Sequence, residues 1–151
     1  MEVKFNLNGL DVVYYVKPGE YLLDSLRNNG VKSVKKGCNA SACGACTVLV
    51  DGKPVLSCSV LTASVEGKKV MTVESIQDEA GELSEYFAKE GADQCGYCSS
   101  AIALVVHALK EENPHPTRKE IDDYLVGNLC RCTGLQSQGN AVEKYLGGKK
   151  Y

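Results

Sequence analysis

The cysteines constrain this 151-residue chain more than any other residue type. Eight are present, in two groups of four with none left over. The first group reads Cys38-x4-Cys43-x2-Cys46-x11-Cys58, and the second Cys95-x2-Cys98-x31-Cys130-x-Cys132. Whatever the chain folds into must bring each group together. Four thiolates are the set taken by one 2Fe–2S cluster, and C-x4-C-x2-C…C is the plant-type spacing for such a cluster. Two complete sets predict two 2Fe–2S clusters, and hence electron transfer.

Three other uses of the thiols have to be weighed. Disulfides need an oxidising compartment, and Met1-Glu2-Val3-Lys4-Phe5 carries no basic-then-apolar signal segment. Structural zinc is the stronger rival, because Cys95-Gly96-Tyr97-Cys98 by itself matches half of a zinc site. The wide Cys38-x4-Cys43 loop and the tight Cys130-Arg131-Cys132 pair both depart from usual zinc spacing. A Rieske centre requires two histidines. His107 and His115 sit outside both groups and read as core or surface residues.

The rest of the composition sets broad limits. Hydrophobic content of 44% suffices for a packed core, and no apolar run approaches the ~20 residues of a membrane span. A net charge of −2 with mixed signs gives no basic surface for nucleic acid or anionic lipid. Eight thiols without a signal segment suit a reducing cytoplasm. The chain shows no nucleophile–base pairing and no nucleotide loop, and Gly147-Gly148 is no phosphate-binding fingerprint. No catalytic residues are assigned.

The predicted fold class is α+β: an N-terminal β-grasp, ferredoxin-like domain over residues 1–75, then a helical 2Fe–2S-binding domain over 76–151. In the first half Val3, Phe5 and Leu7 alternate with polar neighbours, and Asn8-Gly9 marks a tight hairpin leading to a strand over Val12–Val16. Tyr21–Arg27 carries a short helical pattern ended by Asn29-Gly30. Thr47–Val50, Asp51-Gly52 and Lys53–Cys58 form a second hairpin, and Val70–Val73 a last strand. The helical half begins near Glu79. Ser99–Glu112 is apolar nearly all round, Thr117-x-x-Glu120 is a capping box, and Ala141–Leu146 ends a four-helix bundle. Each half is small for a self-sufficient core, so the clusters are expected to act as staples and the metal-free chain to be partly unfolded.

The local chemistry suits iron and sulfide. Gly37 to Cys46 is built of small residues whose N–H groups can turn toward sulfur as an anion nest. Cys95 and Cys98 would lie at a helix start, where dipole and free N–H groups favour thiolate. Arg131 either offsets cluster charge or is a solvated loop residue.

Three stretches carry a family resemblance: Gly37-Cys38 through Cys43-Gly44-Ala45-Cys46-Thr47-Val48, Gln94-Cys95-Gly96-Tyr97-Cys98, and Gly127-Asn128-Leu129-Cys130-Arg131-Cys132-Thr133-Gly134. Over nearly its full length the chain resembles the small iron–sulfur subunit of the molybdenum hydroxylases, the xanthine dehydrogenase and aldehyde oxidase family. The resemblance implies the non-catalytic electron-transfer subunit of an oxidoreductase. Its partners would be a large molybdopterin-binding subunit and an FAD-binding subunit. Cys95, Cys98, Cys130 and Cys132 would hold the cluster near the pterin, and Cys38, Cys43, Cys46 and Cys58 the far one. Gln94 and Cys132 would face the pterin, with a helix-entry cap as the plainer role for Gln94. Two places depart from the family motif: Ser99-Ser100-Ala101 replaces Thr-Pro-Gly, and Leu135-Gln136-Ser137-Gln138 replaces Tyr-x-x-Ile. The serines are expected to cap the helix that proline would have started. A stand-alone two-cluster ferredoxin and a zinc-stapled interaction module are the competing functions.

Overall fold

Two tight hairpins organise the N-terminal half of the molecule, a computed structural model that describes residues 1–147. Strand β1 (Glu2–Leu7) turns into β2 (Leu10–Tyr15) through Asn8 and Gly9, both at positive φ as a two-residue hairpin demands. The antiparallel register pairs Leu7 with Leu10, and Val3, Phe5 and Leu7 face inward. Helix α1 (Leu22–Asn28) lays Leu22, Leu23 and Leu26 on the sheet and ends as the chain reverses at Gly30. Asp51 and Gly52, again at positive φ, join β3 (Thr47–Val50) to β4 (Lys53–Leu56). Strand β5 (Lys69–Met71) runs parallel to β1 and antiparallel to β3, giving the order β2-β1-β5-β3-β4. A five-stranded mixed sheet with one helix is the expected β-grasp arrangement.

Strand β5 is shorter than the apolar run Val70–Val73 suggests. At Thr72 the ladder passes to a side chain: Asn8 Oδ1 accepts from the Thr72 N–H at 2.8 Å, and Asn8 Nδ2 donates to Thr72 Oγ1 at 2.8 Å. Val73–Ile76 then coils into a 3-10 turn that leads into the helical half.

Four helices follow among the described residues: α2 (Gln77–Lys89), α3 (Ser99–Glu112), α4 (Arg118–Leu125) and α5 (Gly134–Leu146). Helix α3 is central, buried on nearly every side, and packs against α2, α4 and the back of β3. The capping box of α4 forms as expected, with the Thr117 N–H donating to Glu120 Oε2 at 2.7 Å. Helix α5 starts at Gly134, well before Ala141, because Gly139 is a close approach rather than a break. A Cβ there would meet Arg118 Nη2 at 2.6 Å, and the guanidinium it admits bonds Asp122 and Asn140.

Two hydrophobic cores result. One lies wholly within residues 3–70, and the other comes from the helices together with Leu49 of β3. His107 is half-buried on α3 and paired: its Nδ1 lies 2.7 Å from Glu79 Oε2. Glu79 also accepts from Lys110 and Tyr145 at 3.3 Å each, tying α2, α3 and α5 together. His115 is exposed. Of the Gly147-Gly148 pair, Gly148 lies outside the described residues.

Candidate metal centres

The structure brings each group of four cysteines together. In the N-terminal half Cys38 and Cys43 sit on the loop between α1 and β3, Cys46 enters β3, and Cys58 lies on a 3-10 turn after β4. Their sulfurs approach in two pairs, Cys38 with Cys43 and Cys46 with Cys58, and Cys58 also feels the charge of Cys38. The small-residue loop does aim its N–H groups inward. Those of Ala42, Cys43 and Ala40 point at Cys38 and draw its thiol pKa down to about 6, with the Ala42 N–H at 3.4 Å. Burial pushes Cys46 up to about 11. Burial also opposes ionisation of Cys58, but contacts from Ser41, Cys46 and Ser59 outweigh it and hold that thiol below its ordinary value. Ser41 reaches this position at a left-handed φ of 52°, its Oγ 3.5 Å from Cys58 Sγ.

The second group is built on helix N-termini. Cys98 is the N-cap of α3, and Cys130 and Cys132 precede Thr133, the N-cap of α5. Cys95 pairs with Cys132 at the surface, and Cys98 pairs with Cys130 further in. The Tyr97 N–H, 3.5 Å from Cys95 Sγ, lowers that thiol's pKa. Burial works against Cys130, yet the Thr133 hydroxyl and N–H, at 3.3 and 3.4 Å, bring it down to about 7. Burial lifts Cys98 to about 11, and contact with Cys95 raises Cys132. Among the described residues no three His, Cys, Asp or Glu side chains close on one point as a single ion requires. Four thiols in two pairs, with N–H and hydroxyl donors on the sulfurs, is a donor set that fits a two-iron, two-sulfide cluster.

The two groups are joined. The Leu129 N–H donates to the Cys43 carbonyl at 2.9 Å, so one hydrogen bond and one peptide separate Cys43 from Cys130. Asn128 is 4% exposed and clamps this junction, its Nδ2 reaching Gly44 O at 3.0 Å and Thr47 Oγ1 at 3.4 Å. A second strap lies alongside: Tyr97 Oη donates to Lys36 O, Ser100 Oγ to Ser33 O, and Lys35 covers the Tyr97 ring.

Two sequence expectations fail here. Neither Ser99 nor Gln94 caps α3: its N-cap is Cys98, Ser100 turns to Ser33, and Gln94 is exposed beside Cys95. Arg131 is exposed. Residues that spacing did not single out include Ser41, Asn128, Thr133 and Gln138. Ser41, Asn128 and Thr133 stand inside the motif stretches, and Gln138 lies in the stretch that departs from the family motif, with its contact to Cys98 unmarked.

Comparison with known proteins agrees with this geometry. Residues 5–72 match the model of the 2Fe-2S iron-sulfur cluster binding domain, and residues 72–143 that of the 2Fe-2S binding domain. The chain is 41% identical to the nicotinate dehydrogenase small FeS subunit of Eubacterium barkeri, over 87% of this chain and 86% of that one. It is also 41% identical to the xanthine dehydrogenase iron-sulfur-binding subunit of Escherichia coli O157:H7, over 93% and 91%. The quinoline 2-oxidoreductase of Pseudomonas putida 86 superposes with a TM-score of 0.88 at 36% identity, covering 97% of this chain and 92% of the matched one. With its two cysteine groups, β-grasp half and helical half, the chain belongs to the small iron–sulfur subunits of the molybdenum hydroxylase family.

Proposed function

We propose that this chain is the electron-transfer subunit of a molybdenum-dependent hydroxylase or dehydrogenase. Cys38, Cys43, Cys46 and Cys58 hold one 2Fe–2S cluster, and Cys95, Cys98, Cys130 and Cys132 hold the other. Bound there, a cluster accepts and releases one electron at a time. The observation that carries this reading is the Cys43–Leu129 hydrogen bond, which puts the two cysteine groups in series.

The order of transfer follows from exposure. Cys95 and Cys132 are exposed, with Gln94 beside them and Tyr97, Leu129 and Leu135 forming an apolar surround. This face receives a large molybdopterin-binding subunit, with Gln94 and Cys132 toward the pterin. The Leu129–Cys43 hydrogen bond would link this cluster site to the one in the β-grasp half, which would face an FAD-binding subunit. The β-grasp and helical halves are two units, 1–75 and 76–151, a division supported by a core lying wholly within residues 3–70, with Leu49 of β3 serving the helical core. Eight free thiols suit a cytoplasmic setting. No helix among the described residues is long and apolar enough to cross a membrane.

Purification under native conditions tests the assignment. A molybdenum-containing subunit is expected to co-purify, and Gln94→Ala should leave the iron content intact while slowing turnover of the complex. A fully loaded monomer that exchanges electrons with several unrelated partners and brings down no molybdenum would favour the stand-alone ferredoxin instead.

A further inference from the structure

Helix α5 buries one polar side chain that packing does not explain. Gln138 is 1% exposed and lies on the same helix face as buried Ala141, Val142 and Tyr145. Among the described residues its Oε1 has no partner, and its Nε2 lies 3.6 Å from Cys98 Sγ. A buried amide with half its bonding capacity unmet lowers stability relative to an aliphatic residue of similar volume.

The orientation of the amide follows from the chemistry of its neighbour. A thiolate sulfur only accepts, so the NH2 end of Gln138 faces it and the oxygen is left without a donor. Cys98 is the member of its group that most needs this help. Cys95 has the Tyr97 N–H, Cys130 has the Thr133 hydroxyl and N–H, and Cys132 lies exposed at the surface. Cys98 is turned inward at the start of α3, and Gln138 is the side chain that reaches it.

We infer that Gln138 sets the reduction potential of the helical-half cluster by donating a side-chain N–H to Cys98 Sγ. The inference rests on the cluster assignment proposed above. Reduction adds one electron to the cluster, part of it borne by the sulfurs, while no bond forms or breaks and the amide gives up no proton. An N–H dipole aimed at sulfur therefore stabilises the reduced form more than the oxidised form and moves the potential upward. Raising the potential of this cluster makes it the stronger acceptor of electrons arriving at the exposed face.

The test is Gln138→Met, which keeps the length and removes the donor, with Gln138→Leu as a second variant. Both are purified as the holoprotein, assayed for iron and sulfide, and titrated with dithionite under paramagnetic resonance. Iron content should match the parent and thermal stability should hold or rise. One of the two potentials should fall, giving about a tenfold smaller reduced-to-oxidised ratio at fixed ambient potential, equivalent to about 59 mV for a one-electron couple. The other potential should not move. Two unchanged potentials in fully loaded variants would overturn the inference, as would loss of one cluster from both variants, which would make Gln138 a structural residue. A parent protein that carries no iron would instead overturn the cluster assignment.

Discussion

Gly44→Ala should pull the two halves of the molecule apart at the junction of the cysteine groups. Gly44 is buried with φ at +74°, and a Cβ there would lie 2.2 Å from Gly127 O and 2.8 Å from both Asn128 Cα and Nδ2. Two of those three atoms are backbone, so no side-chain rotation relieves the overlap. The same displacement breaks the Asn128–Gly44 and Leu129–Cys43 hydrogen bonds, leaving a buried amide unpaired. Left-handed strain of about 1–3 kcal/mol and a comparable penalty for orphaned polar groups together reach about 2–6 kcal/mol. That is a large share of the roughly 5–15 kcal/mol that holds most domains folded. Calorimetry of the loaded protein should show a fall in Tm of roughly 10 °C, and electron exchange between the clusters should slow. A variant that melts with the parent and exchanges electrons at the parent rate would show that the junction is not needed.

Cys130→Ala should remove one cluster outright and leave the other. Cys130 sits before the α5 N-terminus, paired with Cys98 and contacted by the Thr133 hydroxyl and N–H. Without it the set would offer three thiolates, one short of the four that a 2Fe–2S cluster takes. Alanine is chosen over serine because a hydroxyl can replace a thiol as an iron ligand. About half of the iron and sulfide should be lost, with the β-grasp signal unchanged, since Cys38, Cys43, Cys46 and Cys58 all lie in the other half. The helical half should also lose protection in amide hydrogen exchange, because metal binding and folding are coupled in small domains. Full iron content in this variant would remove Cys130 from the ligand set.

Much of this architecture is legible in the sequence, and the reasons are local. Asn8-Gly9 and Asp51-Gly52 each supply two consecutive residues tolerant of positive φ, so both hairpins and their registers follow directly. Ser99–Glu112 is a helix at the predicted limits because its apolar run ends at Asn113-Pro114. The start of α5 is not legible, since Gly134 and Gly139 look like breaks until Arg118 is seen to occupy the space that Gly139 leaves. Gln138 is hidden for the same reason: with the helix begun at Ala141 it has no face. The end of β5 depends on Asn8, 64 residues from Thr72, and no window of sequence contains both. At the metal centres spacing identifies the thiols and the backbone donors beside them, but two side-chain contacts join residues distant in sequence. Ser41 reaches Cys58, and Gln138 reaches Cys98 from 40 residues away.

The most direct test of the central claim, two 2Fe–2S clusters in series, is a reductive titration followed by paramagnetic resonance with iron and sulfide assayed on the same sample. The account predicts about four irons and four acid-labile sulfides per chain. Two reduced signals should appear at separate potentials, because one site is a β-grasp loop and the other a pair of helix N-termini. Zinc in place of iron, or two irons giving a single signal, would contradict it.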